Sequence, residues 1–156
     1  MRLKPLVFSL CISNGIGIIS GILTSQSKQL YDTLVLPPLA PPSIVFPIVW
    51  TILFILMGIS SYLIYISNSP ATKKALIIYC IQLVINFIWP FIFFSLNLYW
   101  LSFVWLLVLI FFVIKMIKLF YFINLTASLL QLPYLLWIIF ACYLNFMIAM
   151  LNNPVH

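Results

Sequence analysis

Acidic side chains are almost absent from this sequence. Its 156 residues include one Asp, Asp32, no Glu, and one His, His156, and only 5% of the residues are charged. General acid–base catalysis and ion-coupled transport depend on positioned ionisable groups, so both are disfavoured here. A soluble domain carries roughly 25% charged residues. The composition therefore excludes a soluble enzyme, a disordered tail and a nucleic-acid-binding protein.

Long runs without charge take up most of the chain, which is 66% apolar with a mean hydropathy of +1.29. A helix needs about 20 apolar residues to cross about 30 Å of hydrocarbon. The runs are continuously apolar, whereas the strands of a membrane barrel alternate apolar and polar residues. We expect an all-α membrane protein, a single domain over residues 1–156, with five spans at residues 5–24, 44–66, 71–95, 99–119 and 126–151.

One segment between the first two spans cannot itself cross the membrane. Residues 25–43 contain Lys28, Asp32 and four prolines, which fix extended or turned backbone. We expect an ordered, proline-rich lid loop there. Arg2 and Lys4 precede the first apolar run as in a signal peptide, but no small-x-small cleavage site follows, so that run is interpreted as a mature helix.

Basic residues are distributed unequally between the two ends of such a bundle. One end would hold six of them, and the other only Lys28 beside Asp32. Cytoplasmic loops carry the excess of Lys and Arg. The sequence therefore predicts a cytoplasmic amino terminus and an external carboxyl terminus, from Arg2, Lys4, Lys73, Lys74, Lys115 and Lys118.

Aromatic and amide side chains recur at helical spacing on three spans. Taken singly, each stripe is typical of helix packing with interhelical amide hydrogen bonds. Taken together, the stripes are also compatible with a slot for a flat hydrophobic ligand. The stripes are Phe46, Trp50, Phe54 and Met57 on the second span, Gln82, Asn86, Trp89 and Phe93 on the third, and Tyr134, Trp137, Ala141 and Asn145 on the fifth.

Small residues recur every fourth position on the first span. Such a ridge lets another helix approach closely, either within the same chain or in a second copy. Both alternatives are open from the sequence, for a ridge made of Ser9, Ser13, Gly17, Gly21 and Ser25.

Three blocks of sequence together resemble the TspO/MBR family, which includes translocator proteins, peripheral benzodiazepine receptors and tryptophan-rich sensory proteins. The first block runs from Leu30-Tyr31-Asp32 through Phe46-Pro47 and Trp50 to Met57-Gly58. The second is Asn86-Phe87-Ile88-Trp89-Pro90, and the third runs from Pro133-Tyr134 through Trp137 to Asn145. The resemblance covers residues 15–145 in order.

The resemblance implies a homodimeric five-helix bundle with a ligand pocket closed by the loop between the first two helices. It implies porphyrins such as protoporphyrin IX as ligands, with no cofactor required and the lipid bilayer as the surrounding partner. Trp50, Phe54 and Trp137 would stack on the ligand, Asn86 would hydrogen-bond to it, and Ala141 would leave room. The ligand-binding residues carried over are Tyr31, Pro41, Phe46, Trp50, Phe54, Asn86, Trp89, Trp137, Ala141 and Cys142.

The sequence departs from the family pattern in the lid and at the carboxyl end. Leu30, Leu36 and Leu39 replace a Trp, a Lys and a Trp, so the lid contacts are less secure than those of the helices. The carboxyl-terminal cholesterol motif is absent, since no basic residue follows Leu144, and a sterol role is poorly supported.

Three functions remain open: tetrapyrrole binding for sensing or translocation, an unusual light- and oxygen-dependent porphyrin-degrading enzyme, and a scaffold acting through a partner protein. No His lies inside a span, so metal-free porphyrin should bind at least as well as haem.

Overall fold

The computed structural model describes residues 3–23 and 27–152, and within these ranges the regular structure is helical throughout. The predictions made for Arg2, Thr24, Ser25 and His156, and for the side chain of Lys28, lie outside the described part. The helices are α1 (Leu3–Leu23), α2 (Ser27–Thr33), α3 (Val45–Ile66), α4 (Thr72–Pro90), α5 (Tyr99–Ile123), α6 (Leu125–Leu129) and α7 (Leu132–Asn152).

The five predicted spans are confirmed, because five helical segments are long and apolar enough to cross a membrane. They are α1, α3, α4 with a following π-helical turn at Phe91–Ser95, α5, and α6 with α7. The fourth span continues to Ile123 rather than ending at Leu119, since no proline or glycine interrupts it.

Two further boundaries differ from the predictions, and proline explains one of them. The fifth span is broken between α6 and α7 because Pro133 has no N–H for the carbonyl of Leu129 and its ring clashes with that carbonyl. The other difference is in the lid. Its first part is the short helix α2, which ends before the first proline, Pro37, so only the following residues form a loop. We call residues 27–43 the lid.

The helices alternate in direction, as the contacts between them show. Gly17 of α1 faces Phe54 of α3, whereas Gly58, further along α3, faces the earlier residue Ser13. A β-carbon on Gly17 would lie 2.5 Å from the Phe54 ring, and one on Gly58 would lie 2.6 Å from Ser13 Oγ. The ridge of α1 therefore packs closely against α3 at Ser13 and Gly17. Of the two alternatives for this ridge, the structure has the one in which the neighbouring helix belongs to the same chain.

Buried amides and indoles join the remaining helices. Tyr134 Oη donates to Gln82 Oε1 at 2.8 Å, which joins α7 to α4. Trp89 Nε1 donates to Asn145 Oδ1 at 3.1 Å, and Asn145 Nδ2 donates to the Tyr99 carbonyl at 2.8 Å. Gln82 and Asn145 thus hydrogen-bond between helices, as the packing interpretation of the polar stripes predicted. Each such bond is worth roughly 0.6–2 kcal/mol in a membrane.

The two ends of the bundle differ in charge. The alternating helix directions place the starts of α1 and α4 and the end of α5 at one end, which we call the basic end. Its described lysines are all exposed, and Asp32 lies in the lid at the opposite end. These lysines are Lys4, Lys73, Lys74, Lys115 and Lys118.

Candidate ligand-binding cavity

A cavity of about 420 Å³ lies between α1, α3 and α4 on the side of the bundle covered by the lid. Its size falls within the range of roughly 300–1,000 Å³ typical of small-molecule sites. Apolar and aromatic side chains make most of its lining, with a few polar groups among them. The lining residues are Asn14, Ile16, Gly17, Ile18, Ser20, Gly21, Tyr31, Ser43, Ile44, Phe46, Pro47, Trp50, Thr51, Phe54, Asn86, Phe87, Trp89, Pro90 and Phe94.

Helical spacing places the aromatic wall of the cavity on one face of α3. Phe46, Trp50 and Phe54 are four residues apart, so their rings follow one another along the helix. The Trp50 and Phe54 rings lie 5.6 Å apart at an interplanar angle of 32°. This wall offers an extended aromatic surface on which a flat ligand can stack.

Asn86 supplies a polar group on the α4 side of the cavity. Its side chain is 4% exposed, and its amide nitrogen, Nδ2, has no hydrogen-bond partner among the described residues. A buried amide without a partner costs roughly 1–3 kcal/mol. Asn86 therefore places an unpartnered, buried amide in the wall of the cavity. Asn14, by contrast, already donates its amide to the Leu10 carbonyl at 2.9 Å.

The lid contributes one ring to the cavity and holds it in place. Tyr31, on α2, is 5% exposed and packs edge-on against Phe46 with ring centroids 5.1 Å apart. Its hydroxyl donates to the Pro41 carbonyl at 3.0 Å. Burial, and secondarily the Asp32 carboxylate, raises the pKa of Tyr31, which keeps that hydroxyl protonated as a donor. Pro41 does not line the cavity and instead anchors the Tyr31 ring.

Six of the ten predicted site residues line the cavity together. They are Tyr31, Phe46, Trp50, Phe54, Asn86 and Trp89.

The aromatic and polar stripes of α3, α4 and α7 do meet, but their side chains pack against one another, and the described lining of the cavity contains no residue of α7. Trp137 packs edge-on against Phe46 with ring centroids 5.9 Å apart, and Tyr134 against Trp50 at 6.2 Å. The hydrogen bond between Trp89 and Asn145 closes the gap between α4 and α7.

Trp137 lies outside the cavity, on the far side of α3. There it lines an open groove between α3 and α7, and the other residues of that groove are apolar. Ala141 and Cys142 are buried on α7 and do not line the cavity either. Ligand contacts of Trp137, Ala141 and Cys142 stay predictions.

The third wall of the cavity comes from α1, which the sequence reasoning assigned no role in a site. Asn14, Gly17 and Gly21 all line it. The ridge of small residues carried part of this information, since it predicted that another helix comes close to α1. The signal that could have completed it is Asn14, an amide within an apolar span.

Comparison with known proteins supports the family resemblance that the sequence motifs indicate. A profile of the TspO/MBR family matches residues 8–151. The chain is 34% identical to the tryptophan-rich protein TspO of Chlorobaculum tepidum, over 97% of this chain and 99% of that protein. It is 35% identical to the protein of the same name from Archaeoglobus fulgidus, over 97% and 99%. It is 31% identical to the human translocator protein, over 89% and 84%. The chain is therefore an integral, multi-pass membrane protein that belongs to the TspO/MBR family.

Proposed function

We propose that the protein binds tetrapyrroles such as protoporphyrin IX in this cavity and acts as a membrane sensor or translocator for them. The observation that carries the proposal is the unpartnered amide of Asn86 inside a cavity walled by Trp50 and Phe54. A porphyrin combines a flat apolar ring with carboxylate side chains, so it offers both a surface to stack and an acceptor for the amide. The resemblance to the family supports this class of ligand.

Each lining group has a role in this proposal. Trp50 and Phe54 stack on the macrocycle, and the Asn86 amide donates to a carboxylate or carbonyl of the ligand. Tyr31 closes the cavity from the lid side. The described lining contains no His, Cys or Met, and the hydroxyl of its one Tyr, Tyr31, already donates to the Pro41 carbonyl, so the macrocycle is recognised by its shape and its edge rather than by its metal.

Tryptophan fluorescence tests the proposal directly. Protoporphyrin IX should quench the protein in lipid nanodiscs, and Trp50→Ala should weaken binding at least tenfold, which is 1.4 kcal/mol. Trp100→Ala is the matched control, because Trp100 lies on α5 and is absent from the lining. Equal affinities for the two variants would remove Trp50 from the site, and an unquenched wild-type protein would remove the proposed function.

A second candidate is a light- and oxygen-dependent degradation of the bound porphyrin. The observation favouring it is that the Trp50 indole lines the cavity and lies 6.2 Å from Tyr134, ring to ring, so an oxidisable pair adjoins the ligand. Illumination of the complex in air should then yield a ring-opened product, and Trp50→Phe should abolish it while binding persists. The same product from free porphyrin at the same rate would contradict an enzymatic role.

For the orientation, we propose that the basic end faces the cytoplasm. Five exposed lysines lie at that end, and Asp32 lies at the other. An excess of Lys and Arg marks the cytoplasmic side of membrane proteins. A fluorescent protein that matures only in the cytoplasm should therefore fluoresce when it is fused before α1. The reverse pattern, with fluorescence only after α7, would contradict this orientation.

A homodimer is the assembly that the resemblance to the family implies, and we propose it here as well. Light scattering of the protein in detergent, corrected for bound detergent, should give twice the chain mass of 18.0 kDa. Crosslinking in native membranes that recovers a different protein would favour the scaffold alternative instead.

A further inference from the structure

The side wall of the cavity has an opening between α1 and α3. Some residues that line the cavity are also exposed on the outer surface of these spans, so the lining continues to the outside there. Ile18 is 63% exposed and Ile44 is 59% exposed. We call this opening the portal, and its rim consists of Ile18, Gly21, Ile44, Pro47 and Thr51.

The spacing of α1 and α3 explains why the portal exists. At Gly17 the two helices are so close that a β-carbon would lie 2.5 Å from the Phe54 ring. At Gly21, one turn further along α1, a β-carbon would meet no atom of the described residues within 4 Å. Among the described residues the helices thus touch at Gly17 and leave open space at Gly21, which lies within the first apolar span.

The rim is chemically matched to hydrocarbon. Four of its five residues have no side-chain donor or acceptor. The exception is Thr51, whose hydroxyl donates to the Pro47 carbonyl at 2.8 Å and so is satisfied within its own helix. An apolar molecule can therefore cross the rim without stripping a polar group of its hydrogen bonds, which would otherwise cost several kcal/mol in lipid.

The lid, in contrast, is tied to the end of α7. The Asn152 side chain accepts from the Val35 N–H at 3.0 Å and donates to the Val35 carbonyl at 3.1 Å. Tyr143 Oη donates to the Pro38 carbonyl at 3.2 Å. We call these three hydrogen bonds the clasp. Movement of a ligand past the lid breaks the clasp, whereas movement through the portal breaks none of its bonds.

We infer that the cavity exchanges its ligand sideways with the lipid bilayer, through the portal between α1 and α3, while the clasp keeps the lid shut. The inference rests on the proposed function for the identity of the ligand. To the proposed function it adds the route by which the ligand enters and leaves the cavity. This route requires a ligand that dissolves in the bilayer before it binds. The lid then separates the bound ligand from the aqueous phase instead of admitting it.

Two glycines of α1 provide a matched test of the portal. Gly15 and Gly21 both have open space at the β-carbon, but only Gly21 lines the cavity. With protoporphyrin IX in nanodiscs and stopped-flow tryptophan quenching, Gly21→Phe should slow both association and dissociation about tenfold, whereas a side chain that merely filled the cavity would speed dissociation. Gly15→Phe should exchange at the wild-type rate. If Gly21→Phe exchanges as fast as Gly15→Phe, the portal is not the route.

Variants of the clasp test the alternative route, in which the ligand passes under the lid. In Asn152→Ala/Tyr143→Phe, hydrogen exchange at the Val35 amide should accelerate while the rates of porphyrin exchange stay within twofold of wild type. Tyr121→Phe, a change at an exposed tyrosine of α5, is the control for the loss of a hydroxyl. Faster porphyrin exchange in the clasp variant would place the route under the lid and overturn the inference.

A third readout needs no porphyrin and so separates this inference from the proposed function. Stearic acid carrying a spin label on its chain stays in the bilayer and quenches indoles that it can reach. The Trp50 contribution, taken as the difference between the wild type and Trp50→Phe, should be quenched, and Gly21→Phe should at least halve that quenching. If porphyrin does not bind but this pattern holds, the proposed ligand is wrong and the portal stands. If Trp50 is not quenched, the portal is closed to lipid.

Discussion

Replacement of Gly17 by alanine should distort the cavity at the contact between α1 and Phe54. The new methyl group would lie 2.5 Å from Cδ2 and Cε2 of Phe54 and 3.2 Å from its Cγ. The ring cannot simply rotate away, because it is 7% exposed and packs against Trp50. Either α1 moves outward or the ring moves along the cavity wall. Overpacking of this kind costs about 1–3 kcal/mol.

The matched change is Gly15→Ala, where the added methyl group meets nothing within 4 Å. Alanine is about 1 kcal/mol better than glycine inside a helix, and both variants share this gain. The difference between the two variants therefore isolates the collision. We expect Gly17→Ala to be less stable than Gly15→Ala by about 1–3 kcal/mol. Porphyrin affinity should fall in Gly17→Ala alone.

Denaturation in mixed detergent micelles measures the stability difference, and tryptophan quenching measures the affinity. A second change, Phe54→Leu, should reduce the penalty of Gly17→Ala, because the smaller side chain can vacate the space that the methyl group needs. If Gly15→Ala and Gly17→Ala have equal stability and equal affinity, the close contact of α1 with Phe54 does not exist. In that case α1 does not form this wall of the cavity as described.

Further predictions concern the polar groups. Asn86→Leu should lower porphyrin affinity about tenfold or more while stability is kept or raised, since a buried amide without a partner is removed; a lower stability with unchanged affinity would contradict this. Tyr134→Phe should leave Gln82 Oε1 without its donor and cost about 1–3 kcal/mol in denaturation, whereas Tyr121→Phe should cost nothing measurable. Because the pKa of Tyr31 is raised from 10.0, the stability that its hydroxyl adds relative to Tyr31→Phe should be complete below pH 10 and disappear as pH rises further. Loss of that difference already near pH 7 would contradict the assignment.

The length of the apolar runs predicted the membrane spans, and helical periodicity predicted the α3 and α4 walls of the site. Phe46, Trp50 and Phe54 share a face because helical residues three or four apart are neighbours. The same reasoning placed Asn86 and Trp89 on one side of α4, and both line the cavity. These residues could be found because the helices that carry them are regular over the whole stretch.

The neighbour that each face meets could not be read from spacing. Trp137 shares a face with Ala141, as predicted, but its ring packs edge-on against Phe46 and lines a groove between α3 and α7, while Asn145 of the same helix bonds to Trp89 of α4. Edge-on ring packing and the bond from Trp89 to Asn145 decide this, and both depend on rotamers that a one-dimensional pattern does not contain. The ridge of α1 likewise predicted a close approach at Gly17 but not the open space at Gly21.

The hydrogen bonds of Asn145 affect the order in which the helices of the bundle can pack together. One amide on α7 accepts from the Trp89 indole and donates to the Tyr99 carbonyl, on either side of the α4–α5 turn. Translation delivers α7 after α4 and α5, so the indole N–H of Trp89 waits in the nascent hairpin without its Asn145 partner until α7 inserts, whereas the Tyr99 carbonyl still accepts from the Ser102 hydroxyl at 2.9 Å. Chains cut short before residue 145 should therefore leave that N–H without its partner inside the bilayer, a feature by which membrane proteases can recognise them.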